Sequence, residues 1–194
     1  MYKITGLFPE PFLETKIDNW DQCKKEIFLD IENSKKPLPI TGSDMVNASN
    51  SFTAENILIR CPNTRIQVEN YLNCFSNEVG IKELTIVNSW VSKYEKGQMI
   101  GLHRHIPKHV SGVIFLTEGH IGGHFCFQSS KFDIDSILLD NQYEEKTTLY
   151  NESFRAITPE EGKLIIFNSY MNHGTTPNLD DKIRYTLAFN AMAK

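Results

Sequence analysis

The 194-residue chain has no apolar run approaching the roughly 18 residues that a membrane-spanning helix needs. Its N-terminal stretch, MYKITGLFPEPF, lacks the long apolar core of a secretory signal. It contains no CxxC pair. The four cysteines (Cys23, Cys61, Cys74 and Cys126) are widely spaced, which excludes a zinc ribbon and reads as free, mostly buried thiols in a reducing compartment. It lacks a basic run of the kind that follows phosphates, and its net charge is −4, so nucleic acid is not expected as a partner. No internal repeat or low-complexity tract is visible. These absences together predict a soluble, cytoplasmic chain. Its length suits a single domain spanning 1–194, large enough to bury roughly 70% of the unfolded chain's surface.

Residues 1–82 read as a helical support region. Over Ile17 to Ser34, Trp20, Cys23, Ile27 and Ile31 recur near helical spacing with charges between them, and Asp18 or Asn19 is positioned to cap the start. Residues 37–53 are rich in Pro, Ser, Asn and Gly and read as loop. A second helix is predicted from Asn63 or Thr64 to Val79, with Gly80 at its C-terminus. From about residue 83 the pattern changes to short β-type runs separated by turn residues: Leu84–Tyr94, Val110–Leu116, His124–Gln128, Lys163–Phe167 and Arg184–Asn190. Between Ser129 and Pro159 the pattern is weak and predicts one or two short strands plus an irregular excursion, with 133–153 a candidate substrate-facing lid. The expected class is mainly β with N-terminal helices, an antiparallel sandwich or rolled barrel.

The six histidines are unevenly placed. His103 and His105 stand one residue apart, so on an extended segment both imidazoles point to the same side. His173 follows much later, after the apolar run LIIF. Two ligands from one segment and a third from a distant one leave part of an octahedral ion open, as oxygen chemistry requires. A paired HxH is also what a polar surface produces, and a lone distal histidine is often structural. A carboxylate such as Glu118 is an alternative third ligand. His109, His120 and His124 read as non-ligands, although His124 could face inward beside Phe125 and Phe127.

The last β run alternates cleanly. Arg184, Thr186, Ala188 and Asn190 share one face; Tyr185, Leu187 and Phe189 share the other. A small-and-polar face suits a cavity wall. A buried arginine calls for an anion, supplied either by a ligand or by Asp180 or Asp181 in the preceding turn. Trp90, Tyr94, Ser111, Asn88 and Asn168 are further candidates for that wall, with aromatic core the competing reading for Trp90 and Tyr94.

The segment YEKGQMIGLHRH resembles the YxxGQxxxxHxD segment of prolyl-4-hydroxylase-like 2-oxoglutarate oxygenases. The Gly122-Gly123 pair before an aromatic strand resembles their next hairpin, and EGKLIIFNSYMNHGTTPN their GxxxxFxxxxxHxxxP segment. The combination WVSKYEKG, HRH and SGVIFL is more similar still to a smaller group of 2-oxoglutarate/Fe(II) oxygenases from bacteria and phages. The resemblance covers about Leu84 to Asn190. It implies a double-stranded β-helix, or jelly roll, that uses Fe(II) and 2-oxoglutarate to hydroxylate a peptide, protein side chain or small molecule. It implies His103 and His173 as iron ligands, Arg184 as the partner of the far carboxylate of 2-oxoglutarate, and Thr186 as its helper. Tyr94 and Ser111 are candidate co-substrate contacts. The departure is His105, which stands where prolyl hydroxylases carry a carboxylate. Two other readings remain open: a three-histidine cupin-type iron dioxygenase without 2-oxoglutarate, and a non-catalytic jelly-roll module.

Overall fold

The computed structural model describes residues 9–33, 51–52, 56–119, 121–130 and 152–194. The elements run β1 (Phe12–Lys16), α1 (Trp20–Asn33), β2 (Ser51–Phe52), α2 (Ile57–Arg60), α3 (Pro62–Val79), β3 (Leu84–Tyr94), β4 (Val110–Phe115), β5 (Phe125–Gln128), β6 (Phe154–Ile157), β7 (Lys163–Asn168), β8 (Asn172–Thr175) and β9 (Arg184–Ala193). The strands form a six-stranded sheet in the order β1-β7-β4-β9-β3-β2 and a three-stranded sheet in the order β6-β5-β8, with antiparallel pairing throughout. No helix among the described residues is long and apolar enough to cross a membrane.

Two apolar clusters divide the molecule into layers. On one face of the large sheet, Ile114, Leu164, Ile166, Leu187, Phe189 and Ala191 pack with Cys23 and Ile27 of α1 and Val68, Leu72 and Phe75 of α3. On the other, Val113, Phe115, Ile165 and Phe167 pack with Phe125 and Phe127 of the small sheet. Strand β4 lies between the two layers, so all six of its residues are buried. That explains why its sequence, VSGVIF, shows no polar alternation.

The helices follow their sequence signals closely. Helix α3 buries Thr64, Val68, Leu72, Phe75 and Ser76 on one stripe and closes on Gly80 with φ 70°. It begins one residue before the expected start, at Pro62, whose ring suits the first helical turn. Cys61 gives no side-chain cap there; Glu26 of α1 substitutes, accepting hydrogen bonds from the backbone N–H groups of Asn63 (3.3 Å) and Thr64 (2.5 Å). Helix α1 starts at Trp20, directly after Asn19, one of the two expected cap positions. The backbone N–H of Ile17 donates to Gly162 O, prolonging the extended path of β1, and Asn19 adopts φ 51°.

The five expected strands all form, Leu84–Tyr94 with both ends as expected and each of the other four with one end moved by one to three residues. Strands β1, β2 and β8 carried no clear signal. The N-terminal region therefore contributes two edge strands to the large sheet and is not helical alone. Strand β6 occupies the end of the weak stretch as a short strand. His120 and positions 133–151 of the candidate lid lie outside the described residues.

Gly112 is a strict packing requirement. A Cβ built there would lie 2.2 Å from Phe189 Cζ and 2.9 Å from Ile165 O, with Phe189 fully buried. Gly112→Ala should therefore lower stability by about 1–3 kcal/mol, as overpacking of a rigid core does. Urea unfolding measures this, and adding Phe189→Leu should recover part of the loss.

Candidate metal centre

The three histidines singled out from sequence converge. His103 and His173 form an isolated antiparallel bridge, each backbone N–H donating to the other's carbonyl at 2.8 and 3.0 Å. The His105 N–H donates to Ser169 O at 3.0 Å, fixing the second imidazole one step along the same path. His103 and His105 lie outside a regular strand, yet the same-side geometry of i and i+2 survives because both backbones are pinned to 169–173. Their potential ligand atoms all lie within 4.8 Å of one another. Nε2 of His103 and Nε2 of His105 are 3.3 Å apart, close to the roughly 3 Å expected between neighbouring nitrogens bound to one first-row ion at about 2.1 Å. No carboxylate joins this group among the described residues, and Glu118 is exposed.

Tautomers are set by the backbone. Nδ1 of His103 lies 2.8 Å from Gly101 O, and Nδ1 of His173 lies 2.8 Å from Met171 O. A carbonyl only accepts, so Nδ1 carries the proton in both rings and Nε2 presents its lone pair. Phe125 stacks on His173 at 5.6 Å between ring centroids and Phe167 meets it edge-on at 4.8 Å. The edge of Trp90 meets His105 at 5.7 Å. Burial is the main reason His173 is pushed down to about 3 and His105 to about 4, with His103 adding to both. Neutral imidazoles with fixed lone pairs are what a transition-metal ion needs.

The histidines open onto a pocket also lined by Trp90, Ser92, Tyr94, Ser111, Thr186 and Ala188. Register explains the grouping: Trp90, Ser92 and Tyr94 of β3 pair with Ala188, Thr186 and Arg184 of β9. Ser92 was not singled out from sequence, although its position two residues from Trp90 and Tyr94 carries the signal. The Ser111 hydroxyl donates to Asn190 Oδ1 at 2.7 Å and lies 2.7 Å from Ser169 Oγ, so it is engaged within the wall. Asn168 lies elsewhere, its amide donating to the Tyr170 hydroxyl at 3.1 Å. The His109 Nδ1 accepts from Ala193 N–H, and neither His109 nor His124 joins the cluster. Phe125 and Phe127 face the aromatic core, whereas His124 precedes β5.

Arg184 is 2% exposed. Its Nη1 donates to Gly123 O at 2.6 Å, while Nε and Nη2 are buried with no partner. The candidate surface bridges do not form: Asp181 pairs with Lys96, and Asp180 accepts from Lys182 N–H. The guanidinium carbon lies 3.9 Å from the centroid of the Tyr94 ring, so its charge stands directly behind a wall residue of the cavity. Burial lowers the pKa of Arg184, as expected for a cation removed from water without a counter-ion. The Gly122-Gly123 pair makes this approach possible. A Cβ at Gly122 would lie 2.4 Å from Pro177 O, and one at Gly123 would lie 3.1 Å from Arg184 Nε. Two orphaned guanidinium nitrogens fit a carboxylate ligand.

Comparison with known proteins gives a consistent picture. A family model described as "Putative 2OG-Fe(II) oxygenase" matches residues 88–190. A search of curated protein sequences finds no match. Among solved structures, the non-haem alpha-ketoglutarate-dependent carbocyclase SnoK from nogalamycin biosynthesis is similar at a TM-score of 0.67 and 12% identity, covering 95% of this chain and 80% of that one. A Pseudomonas putida prolyl-4-hydroxylase is similar at 0.61 and 13%, covering 95% and 94%. HygX from Streptomyces hygroscopicus, with nickel and 2-oxoglutarate bound, is similar at 0.60 and 14%, covering 95% and 83%. At such identities these likenesses establish the double-stranded β-helix fold alone.

The buried histidines have a measurable consequence. An unfolded histidine titrates near ~6.5, so below that pH the unfolded chain takes up protons that folded His105 and His173 refuse until about 4 and 3. Their contribution to the stability of the metal-free protein is complete above about pH 6.5. It declines as pH falls, by up to about 1.4 kcal/mol per pH unit for each group. Urea midpoints between about pH 7 and pH 5, above the carboxylate range, should fall accordingly; a flat profile would contradict the assignment.

Proposed function

This chain belongs to the 2OG-Fe(II) oxygenase family, and from that premise we propose that it hydroxylates a C–H bond, with His103, His105 and His173 holding iron and Arg184 holding the far carboxylate of 2-oxoglutarate. It is an oxidoreductase whose cofactors are Fe(II) and 2-oxoglutarate. The observation that supports the residue assignment is the pairing of two groups without partners: three imidazoles whose possible ligand atoms lie within 4.8 Å of one another, and a buried guanidinium with two free nitrogens.

Bound together, iron, 2-oxoglutarate and O2 supply the oxidant, with succinate and CO2 as the by-products. The chain supplies everything else. His103 and His173, locked by Gly101 O and Met171 O, hold their donor atoms in place before any ion arrives. Arg184 offers Nε and Nη2 to a carboxylate from a position fixed by Gly123 O and Tyr94. Thr186 and Ser92 supply hydroxyls to the cavity beside it, and Tyr94 closes that end of the wall. Phe125 and Phe167 shield His173 from water. Three neutral ligands leave the ion's full +2 charge, which dianionic 2-oxoglutarate balances. Arg184 favours this reading over the three-histidine cupin dioxygenase, which has no use for a buried unpaired cation. The substrate class that fits is a peptide or protein side chain or a small molecule able to reach the cavity.

Anaerobic Fe(II) titration with 2-oxoglutarate tests the proposal, and the expected signal is the visible metal-to-ligand charge-transfer band. His103→Ala should abolish it. Arg184→Met should weaken 2-oxoglutarate binding roughly 30-fold or more, the equivalent of about 2 kcal/mol for leaving one carboxylate unpaired. The same Arg184→Met protein, without ligand, should unfold at equal or higher urea concentration than the native chain, because it no longer buries an unpaired charge. Iron bound without the band would instead support the cupin-type reading.

A further inference from the structure

We propose that Tyr94 is a positioning residue that gates the co-substrate site: its ring covers the Arg184 guanidinium in the unliganded protein and swings aside before the far carboxylate of 2-oxoglutarate reaches it. The inference rests on the oxygenase reading given above and goes beyond it, since it assigns to Tyr94 a movement on which binding waits.

The burial of Arg184 carries the argument. Its two unmet donors, Nε and Nη2, lie below the surface, so a carboxylate arriving in the pocket has no open path to them. Tyr94 and Thr186 line the pocket beside the histidines, whereas Arg184 does not. The Tyr94 ring separates the guanidinium from that pocket, with its centroid 3.9 Å from Arg184 Cζ. The negative face of the ring attracts the cation where an anion would otherwise sit. A carboxylate paired through two N–H groups holds an arginine more strongly than a ring face does, so the ligand can displace the ring.

The other surroundings of Arg184 are fixed. Gly123 O holds Nη1, and Gly123 N–H is bonded in turn to Pro177 O at 2.8 Å. Gly122 bridges to Asn178. Strand β9 is paired on both sides, with β3 and with β4. The backbone of Tyr94 is equally held, by its pairing with Arg184 and by Asn178 Nδ2, which donates to Tyr94 O at 3.1 Å. The side chain of Tyr94 is what remains to move, and rotation about its own bonds uncovers the guanidinium without disturbing either strand.

The test mixes the whole Fe(II)-loaded chain with increasing 2-oxoglutarate in an anaerobic stopped-flow instrument and follows the visible charge-transfer band. In the native protein the rate of band formation should rise and then level off, because uncovering Arg184 becomes limiting, as local opening does in other gated sites. Tyr94→Phe keeps the ring face and should keep the plateau. Tyr94→Ala should show a rate that rises linearly and passes the native plateau by about tenfold or more, since no ring has to leave the cation. Pyruvate carries the same keto acid but no far carboxylate, so with the native protein it should show no plateau. That comparison needs no variant and holds even where Tyr94→Ala does not fold. A linear rate for 2-oxoglutarate in the native protein, the same plateau in Tyr94→Ala or with pyruvate, or a plateau lost in Tyr94→Phe would overturn the proposal and leave the oxygenase reading standing. No band from 2-oxoglutarate in the native protein would overturn both.

Discussion

Strand β9 lies between β4 and β3, and its period of two keeps two incompatible environments apart. Leu187, Phe189 and Ala191 fill the layer under the helices. Thr186 and Ala188 face the other way and line the cavity beside the histidines, and Arg184 stands behind Tyr94. A slip of one residue would drive the guanidinium into the helix-facing core and turn Leu187 toward the cavity. The register is held on both sides, by Arg184 against Tyr94 and by Asn190 against Ser111. Gly112 then gives Phe189 the room to lie flat across β4. The wall of the cavity is thus a by-product of core packing on the opposite face of the same strands.

The charge economy of the site points the same way. A cation is buried with two donors unmet, and three imidazoles, buried or half-buried, converge with their possible ligand atoms within 4.8 Å of one another. Each arrangement is unfavourable alone. Under the proposed function they are complementary, with a divalent cation and a dianion between them. Local unfavourable choices of this kind, held in place by a well-packed surrounding, are where function tends to concentrate. The aromatic layer of Phe115, Phe125, Phe127 and Phe167 supplies that surrounding, and it keeps His173 neutral by keeping water away.

Much of this was legible from residue order. The helices announced themselves through i, i+4 apolar spacing and the terminal Gly80, because helical contacts are local. Strands β3, β4, β7 and β9 were visible as apolar or alternating runs between turn residues. The HxH pair, the distal histidine and the arginine further on were visible as residue types in a recognisable order. What stayed hidden depended on distant partners. Strand β1, FLETK, is a strand because it pairs with β7, and NHGT becomes β8 because it pairs with β5.

The sequence by itself determined the class of fold, the family and the kinds of side chain available to a metal and an anion, since these rest on local periodicity and on residue chemistry. Only the tertiary structure decided which of them meet. It separated Ser111, whose hydroxyl is already engaged, from Ser92, which faces the cavity. It removed Asn168 and Glu118 from the site, and it left Arg184 buried without Asp180 or Asp181. The physical reason is that a hydrogen bond or an ion pair forms with whatever the register brings within reach. Register is set by the simultaneous packing of both faces of a sheet, a property of the assembled layers that no single segment carries.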